Sequence, residues 1–171
     1  VKTITNSLSN TKIVTFYGGS NGTSVNSGAI ENTAIETTIE RGTNITNFYG
    51  GTLTAVITGK IVTTVNGGNV KNFYAGTRGG TAKSNVETSI NGGHIITYYG
   101  GNAEGGAIEG NVMTEVRGGI IDTFYGSGKG GSVSGETTTN ILGGTIAKKL
   151  VTGSGGAAAG KITTTIPAGS A

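Results

Sequence analysis

The chain of 171 residues lacks cysteine and tryptophan and has one proline, one histidine (His94) and one aspartate (Asp122). Without cysteine it forms no disulfide and offers no thiolate ligand. One histidine and no cysteine make a transition-metal site implausible. One aspartate excludes the calcium-binding β-roll, which needs repeated aspartates in glycine-rich turns. We therefore expect neither a metal nor a cofactor.

Charge is also scarce, since Asp, Glu, Lys and Arg make up only 12% of the residues, about half the usual share. The net charge is +3, but the twelve basic residues are scattered, and only Lys148 and Lys149 are adjacent. No basic cluster of the kind that binds nucleic acid is present. No apolar run reaches the roughly 18 residues of a membrane-spanning helix. We expect neither nucleic-acid binding nor membrane insertion.

What the chain has in abundance is glycine, with 34 residues, together with many Val, Ile and Thr. This composition predicts strands broken by tight turns and argues against disorder. All ten aromatic residues fall in five adjacent pairs that precede a small residue. The pairs recur at intervals of 32, 25, 25 and 26 residues, in KIVTFYGGS, NITNFYGGT, NVKNFYAGT, IITYYGGNA and IIDTFYGSG.

A second motif has the same period and reads apolar-x-Thr-x-apolar in most copies. It occurs as IETTI, IVTTV, VETSI, VMTEV, TTTNI and ITTTI, with a looser first copy, ITNSL. The first interval is longer, which predicts a loop insertion near residues 20–33. The last unit, 143–171, is degenerate because Lys149 and Leu150 stand where the aromatic pair belongs.

A period of about 25 residues with three strand-like pieces predicts an all-β parallel β-helix, a solenoid in which each coil buries its apolar face against the next. We expect one domain, 1–171, with six to seven coils and no capping helix. The coil is expected to be right-handed. Open coil ends are adhesive strand edges. Because the first and last motif copies are alike, head-to-tail stacking with another copy of the chain is expected to build a filament.

Alternation along a strand places positions 1, 3 and 5 of the apolar-x-Thr-x-apolar motif on one face, which we expect to point inward. The central threonines then form an internal column, in which each hydroxyl is expected to bond the threonine of a neighbouring coil. This column contains Thr37, Thr63, Thr88, Thr114, Thr139 and Thr164.

The aromatic pairs are expected to form two columns of stacked rings. We assign the first column to the interior, because a bend at the polar residue before it, such as Asn47, would turn its rings inward. If the strand alternated without a bend, the first column would face outward and the second column inward. Ile45, Val70, Ile95 and Ile121 are expected in the core. The second column would then lie at or near the surface, where a row of rings can stack on sugars or simply stiffen a coil edge. It contains Tyr17, Tyr49, Tyr74, Tyr99 and Tyr125.

Catalytic chemistry has little support in the sequence. Polysaccharide-cleaving β-helices need clustered carboxylates, whereas the eight glutamates here are spread along the chain. His94 follows a Gly-Gly pair, and we interpret it as a solvated turn residue. Regular outward threonine arrays can bind ice, but charged residues such as Glu36 and Glu87 interrupt the outward positions. An enzyme and an ice-binding protein are therefore the weaker alternatives.

The pattern V-x-T-x-I-x-G-G-x-I-x-x-F-Y-G-G, which covers essentially the whole chain, resembles the Gly-rich parallel β-helix repeats of large bacterial cell-surface and secreted proteins, often called adhesin-like. The resemblance implies an extracellular or cell-surface location and an adhesive or fibrous role. We therefore expect an extracellular structural or adhesive solenoid that stacks on itself, with a carbohydrate-binding module using the tyrosine column as the alternative.

Overall fold

The computed structural model describes residues 2–21, 33–153 and 161–166. These residues form an all-β parallel solenoid of about five turns with about 26 residues per turn. The expected fold class is thus confirmed. The turns are fewer than the six to seven expected, and residues 22–32 and 154–160, which belong to the first and last intervals of the repeat, lie outside the described residues, as does most of the expected insertion near 20–33.

The apolar-x-Thr-x-apolar motifs form the first sheet, in which every strand is parallel to its neighbours. The pairing is in register throughout, so that Ile35 lies beside Ile61 and Ile61 beside Val86. In order across the sheet, the strands are β1 (Lys2–Leu8), β3 (Thr33–Ile39), β5 (Ile61–Val65), β7 (Val86–Ile90), β10 (Val112–Val116), β13 (Thr137–Ile141) and β15 (Ile162–Thr165).

The segments that end in the aromatic pairs form the second sheet, which is also parallel. Its strands are β2 (Lys12–Tyr17), β4 (Asn44–Tyr49), β6 (Asn69–Tyr74), β8 (His94–Tyr99), β11 (Ile120–Tyr125) and β14 (Thr145–Val151). A short third sheet contains β9 (Ala107–Ile108) and β12 (Ser132–Val133), and single bridges through Ala82 extend it to Ile57. Each coil thus presents three faces.

The core is built from columns of equivalent apolar side chains on these three faces. Ile45, Val70, Ile95 and Ile121 are 3% exposed or less, as expected from the sequence. The variable third segments contribute further buried apolar side chains, such as Ile57 and Ile108. Complete burial of an aliphatic side chain stabilises the fold by about 1.5–3 kcal/mol, so stacking of coils accounts for the stability that one coil lacks.

A bend in the second sheet decides which aromatic residue enters the core. The burial pattern of β4 alternates until Thr46, but Thr46 and Asn47 both face outward and Phe48 is buried. The pairing of β4 with β6 also passes over Thr46 and resumes at Asn47. The first aromatic column is therefore interior, as predicted, with Phe48, Phe73, Tyr98 and Phe124 fully buried.

The central threonines face inward as expected, and Thr37, Thr63, Thr88, Thr114 and Thr139 are 3% exposed or less. Their expected hydrogen bonding is wrong. Thr63, Thr88, Thr139 and Thr164 have hydroxyls with no hydrogen-bond partner among the described residues. Equivalent atoms on adjacent coils are separated by the inter-strand spacing of about 4.8 Å, which exceeds the reach of two hydroxyls.

Two threonines of the column form hydrogen bonds with residues other than threonine. The Thr37 hydroxyl accepts a hydrogen bond from Asn6 Nδ2 at 3.1 Å. The Thr114 hydroxyl lies 2.6 Å from the Tyr98 hydroxyl, the only polar atom in the interior aromatic column. Burial raises the pKa of the Tyr98 phenol to about 12. The buried phenol is thus paired with a threonine of the first sheet.

The corner between the first and second sheets requires a residue with positive φ in each coil. Glycine occupies this position in five coils, and Asn10, with φ of 46°, occupies it in the first. Asparagine is one of the few residues that tolerate this conformation. At Gly93 φ is 84°, and an added Cβ would lie 2.7 Å from the Gly68 carbonyl oxygen of the preceding coil. At Gly93 the corner therefore excludes a side chain for two independent reasons.

Replacing Thr63 with valine is expected to leave stability unchanged or to raise it by up to about 1 kcal/mol, because an unpaired buried hydroxyl is removed. Thr114→Val is the matched control. It is expected to cost about 1–3 kcal/mol, since it removes the hydrogen bond between the buried Tyr98 hydroxyl and Thr114. Urea unfolding of both variants measures the difference, and equal effects would contradict this account of the column.

Gly93→Ala is expected to destabilise the fold by about 1–3 kcal/mol, from the strained backbone conformation and the steric overlap with Gly68. Gly105→Ala serves as the control, because φ is not positive there and a Cβ would meet no atom within 4 Å. Thermal unfolding followed by circular dichroism compares the two. A Gly105→Ala loss as large as that of Gly93→Ala would overturn the assignment.

Candidate functional site

The five tyrosines singled out by the sequence form one continuous stack, the tyrosine ladder (Tyr17, Tyr49, Tyr74, Tyr99 and Tyr125). Successive ring centroids are 4.7–5.1 Å apart, and the ring planes are within 12° of parallel. Tyr49 and Tyr74 are less than one-tenth exposed, and the other three are half-buried. The expected position near the surface is therefore correct for the ladder as a whole, but Tyr49 and Tyr74 are covered.

The stacking determines what the tyrosine ladder can bind. Tyr49, Tyr74 and Tyr99 each have a neighbouring ring on both faces. Burial raises the pKa of the Tyr74 phenol to about 12 and also raises the pKa values of Tyr49 and Tyr99. A sugar that stacks on an aromatic residue needs a free ring face, and the inner rungs offer only ring edges.

The ends of the tyrosine ladder are also in contact with other side chains. Arg78 donates a hydrogen bond from Nη1 to the Tyr17 hydroxyl at 3.3 Å and one from Nε to Glu104 at 2.9 Å. At the other end the Lys149 ammonium lies 5.4 Å from the Tyr125 ring centroid, within the range of a cation–π contact. These contacts support a stiffening role for the ladder.

A polar groove on the outer face of the second sheet was not foreseen from the sequence. One wall is the first outward position of each strand, and the other is the third. Because the side chains between the walls point inward, the backbone at Ile45 and Val70 forms the floor. The outer-face groove is lined by Lys12, Asn44, Asn69 and His94 on one wall and by Thr46, Lys71 and Ile96 on the other.

Amide pairs link neighbouring coils along and beside this groove. Asn69 donates a hydrogen bond from Nδ2 to Asn44 Oδ1 at 3.0 Å, and Asn72 donates one to Asn47 Oδ1 at 2.9 Å. An amide carries a donor on one side and an acceptor on the other. It therefore spans the spacing between coils that the threonine hydroxyls do not.

His94 is the first residue of β8, so its interpretation as a solvated turn residue is wrong. Its Nε2 lies 2.8 Å from Asp122 Oδ1, and Lys148 Nζ lies 2.9 Å from Asp122 Oδ2. The Asp122 side chain is only 14% exposed. The hydrogen bond from His94, and then that from Lys148, lowers the pKa of the Asp122 carboxyl. This group, the Asp122 clamp, ties together three successive coils.

The described carboxylates do not gather into a metal or acid–base site. Among the described residues, no group of three or more His, Cys, Asp or Glu side chains is close enough together to hold a metal ion. Glu87 instead pairs with Lys60 at 3.1 Å on the outer face of the first sheet. Within the same part of the chain, no helix has the length and apolarity to cross a membrane.

Comparison of the chain with protein-family models, with curated proteins and with solved structures finds no match. The residues of the outer-face groove carry no repeated sequence signal, since Lys, Asn, Asn and His follow one another in its first wall. Only the register of the second sheet brings them together. The sequence signal that could have indicated the Asp122 clamp is the presence of the single Asp and the single His in consecutive repeats.

Asp122→Asn is expected to lower the unfolding midpoint at neutral pH, because the ionised carboxylate is lost. A depressed folded pKa stabilises the fold above the unfolded value of about 3.9, and this contribution disappears as the pH falls through the folded pKa. The difference between the two proteins should therefore be present at neutral pH and shrink below about pH 4.

Urea midpoints measured from neutral to strongly acidic pH check this expectation. Glu109→Gln is the control, because Glu109 is exposed and forms no ion pair among the described residues. A gap between unmodified protein and Asp122→Asn that persists unchanged in strong acid would contradict the electrostatic role of the clamp.

Proposed function

We propose that this chain is an extracellular structural and adhesive β-solenoid whose partner is another copy of itself, stacked coil on coil. The observation that carries the proposal is the parallel order of both large sheets, in which each described strand pairs with the equivalent strand of the next coil. Each column of equivalent side chains repeats one kind of contact between neighbouring coils along the solenoid axis. A second copy of the chain would bind to an open end through the same kind of contact.

The edges of the described sheets suit such an addition. β1 and β2 at one end, and β14 and β15 at the other, each pair with a single described strand, so one row of their backbone groups is directed away from the stack. Unpaired parallel edges of this kind favour pairing with another chain. A head-to-tail contact of this type is heterologous and produces a filament rather than a closed ring.

Apolar side chains at these edges are partly uncovered. Ile162 is 43% and Leu150 is 36% exposed, and Ile4 and Phe16 at the opposite edge are half-buried. Continuing the register across the contact would place Ile162 beside Ile4 and Leu150 beside Phe16. Burying these groups would supply the hydrophobic term that drives association.

The location outside the cell rests on the resemblance of the repeat to Gly-rich bacterial surface proteins. The absence of cysteine is compatible with either an oxidising or a reducing compartment. We propose no catalytic role, because the carboxylates of the described coils are dispersed or paired with cations. The tyrosine ladder is not favoured as a glycan site, because its inner ring faces are occupied.

Electron microscopy and light scattering of the purified chain at micromolar concentration test the assembly. Uniform filaments one solenoid wide are the expected result. Ile162→Lys, which places a charge at the proposed contact, is expected to prevent them. Ile120→Lys is the matched control, because Ile120 is similarly exposed, at 46%, but lies on an outward face away from both edges.

Monodisperse single chains at all concentrations would contradict the proposal. So would equal loss of filaments in both lysine variants, because that result would assign assembly to lateral contacts rather than to the strand edges.

A further inference from the structure

We propose that the outer-face groove binds an acidic polysaccharide, with the sugar chain running along the solenoid axis across β2, β4, β6 and β8. The groove is a lateral feature and does not depend on the end-to-end stacking proposed above. It stays open whether or not copies assemble, so the two proposals fail independently.

The shape of the groove follows from the inward second position and from the bend in the second sheet. The inward side chain of Ile45 separates the wall formed by Thr46 from the wall formed by Asn44. The bend then places Asn47 outward as well, beside Thr46. Because the same break recurs in neighbouring coils, the channel continues from coil to coil and is open along its length. An open channel of this form suits a polymer better than a small enclosed ligand.

The charge of the groove selects an anionic ligand. Lys12 and Lys71 contribute one cation to each wall, and neither forms an ion pair within the described residues. No carboxylate lines the groove. Asp122, the acid that contacts the groove residue His94, already accepts hydrogen bonds from His94 and Lys148. Two uncompensated ammonium groups provide charge-assisted hydrogen bonds to carboxylate or sulfate groups.

The neutral groups of the groove are suited to sugar hydroxyls. Asn69 Nδ2 bonds Asn44 Oδ1, so the Asn44 amide donor and the Asn69 carbonyl oxygen have no partner among the described residues. Thr46 adds a hydroxyl on the other wall. Side-chain amides and hydroxyls both donate and accept, as sugar hydroxyls do.

The groove lacks what a single-stranded nucleic acid requires. Bases bind to protein chiefly by stacking on aromatic side chains, and no Phe, Tyr or Trp lines the groove. Its one imidazole, that of His94, is held by Asp122. The phenylalanine and tyrosine rings of the second sheet belong to the two stacked columns, whose inner ring faces are occupied. Among polyanions, the residues present therefore favour a carbohydrate.

Fluorescence anisotropy with labelled polygalacturonate oligomers tests the proposal. The unmodified chain is expected to bind, with an affinity that falls as salt is added. The double variant Lys12→Gln, Lys71→Gln should bind about tenfold more weakly or worse, since two charge-assisted hydrogen bonds are lost. The control is Lys83→Gln, Lys129→Gln, which removes the same charge from exposed positions outside the groove and should change the affinity by less than about twofold.

Two further probes separate the sources of binding. A neutral dextran should not bind, and a single-stranded DNA oligonucleotide of equal charge should bind more weakly than polygalacturonate. If both double variants weakened polygalacturonate binding equally, the binding would depend only on net charge, and the assignment of the site to the groove would be overturned. Tighter binding of DNA that depends on Lys12 and Lys71 would overturn the assignment to carbohydrate. Absence of polygalacturonate binding would overturn the proposal altogether.

Discussion

The spacing between adjacent coils, about 4.8 Å, is the constraint on which the rest of the structure depends. In a register without slippage, each atom has its equivalent at that distance on the next coil. Aromatic rings meet the spacing directly, and all eight neighbouring pairs in the two columns are stacked with centroids 4.6–5.4 Å apart. Side-chain amides can form hydrogen bonds across this spacing, because their donor and acceptor lie on opposite sides of one group. Hydroxyls are too short to do so, which explains why several hydroxyls of the threonine column are unpaired.

The same spacing explains which features the sequence could predict. The repeat period, the inward face of the first sheet and the in-register columns follow from local patterns that recur six or seven times. The interior position of the first aromatic column was also predictable, because a polar residue such as Asn47 precedes it where an alternating strand would place an inward side chain.

What the sequence could not predict depends on distances between different positions of neighbouring coils. The threonine hydroxyls were expected to pair because they occupy equivalent positions on adjacent coils. Equivalent positions are one inter-strand spacing apart, which is too far for two hydroxyls to form a hydrogen bond. Tyr98 and Thr114 do pair, and they occupy different positions of different repeats. The contact between His94 and Asp122 and the walls of the outer-face groove are of the same kind. No single repeat contains the information for them.

The last described strand of the second sheet shows what happens when the repeat changes chemistry. The expected alignment of Lys149 and Leu150 with the aromatic pair is wrong by one residue, because the register shifts after Ile121. Leu150 and Val151 of β14 pair with Phe124 and Tyr125 instead, so neither column gains a further ring there. Lys148 and Lys149 instead attach this coil, one through Asp122 and the other over the Tyr125 ring. Ion pairs weaken with ionic strength, whereas ring stacking is insensitive to it. The last described coil of the second sheet is therefore held partly by charge, on a body held by apolar stacking. High salt should loosen that coil locally, while the inner coils should separate only with heat or denaturant.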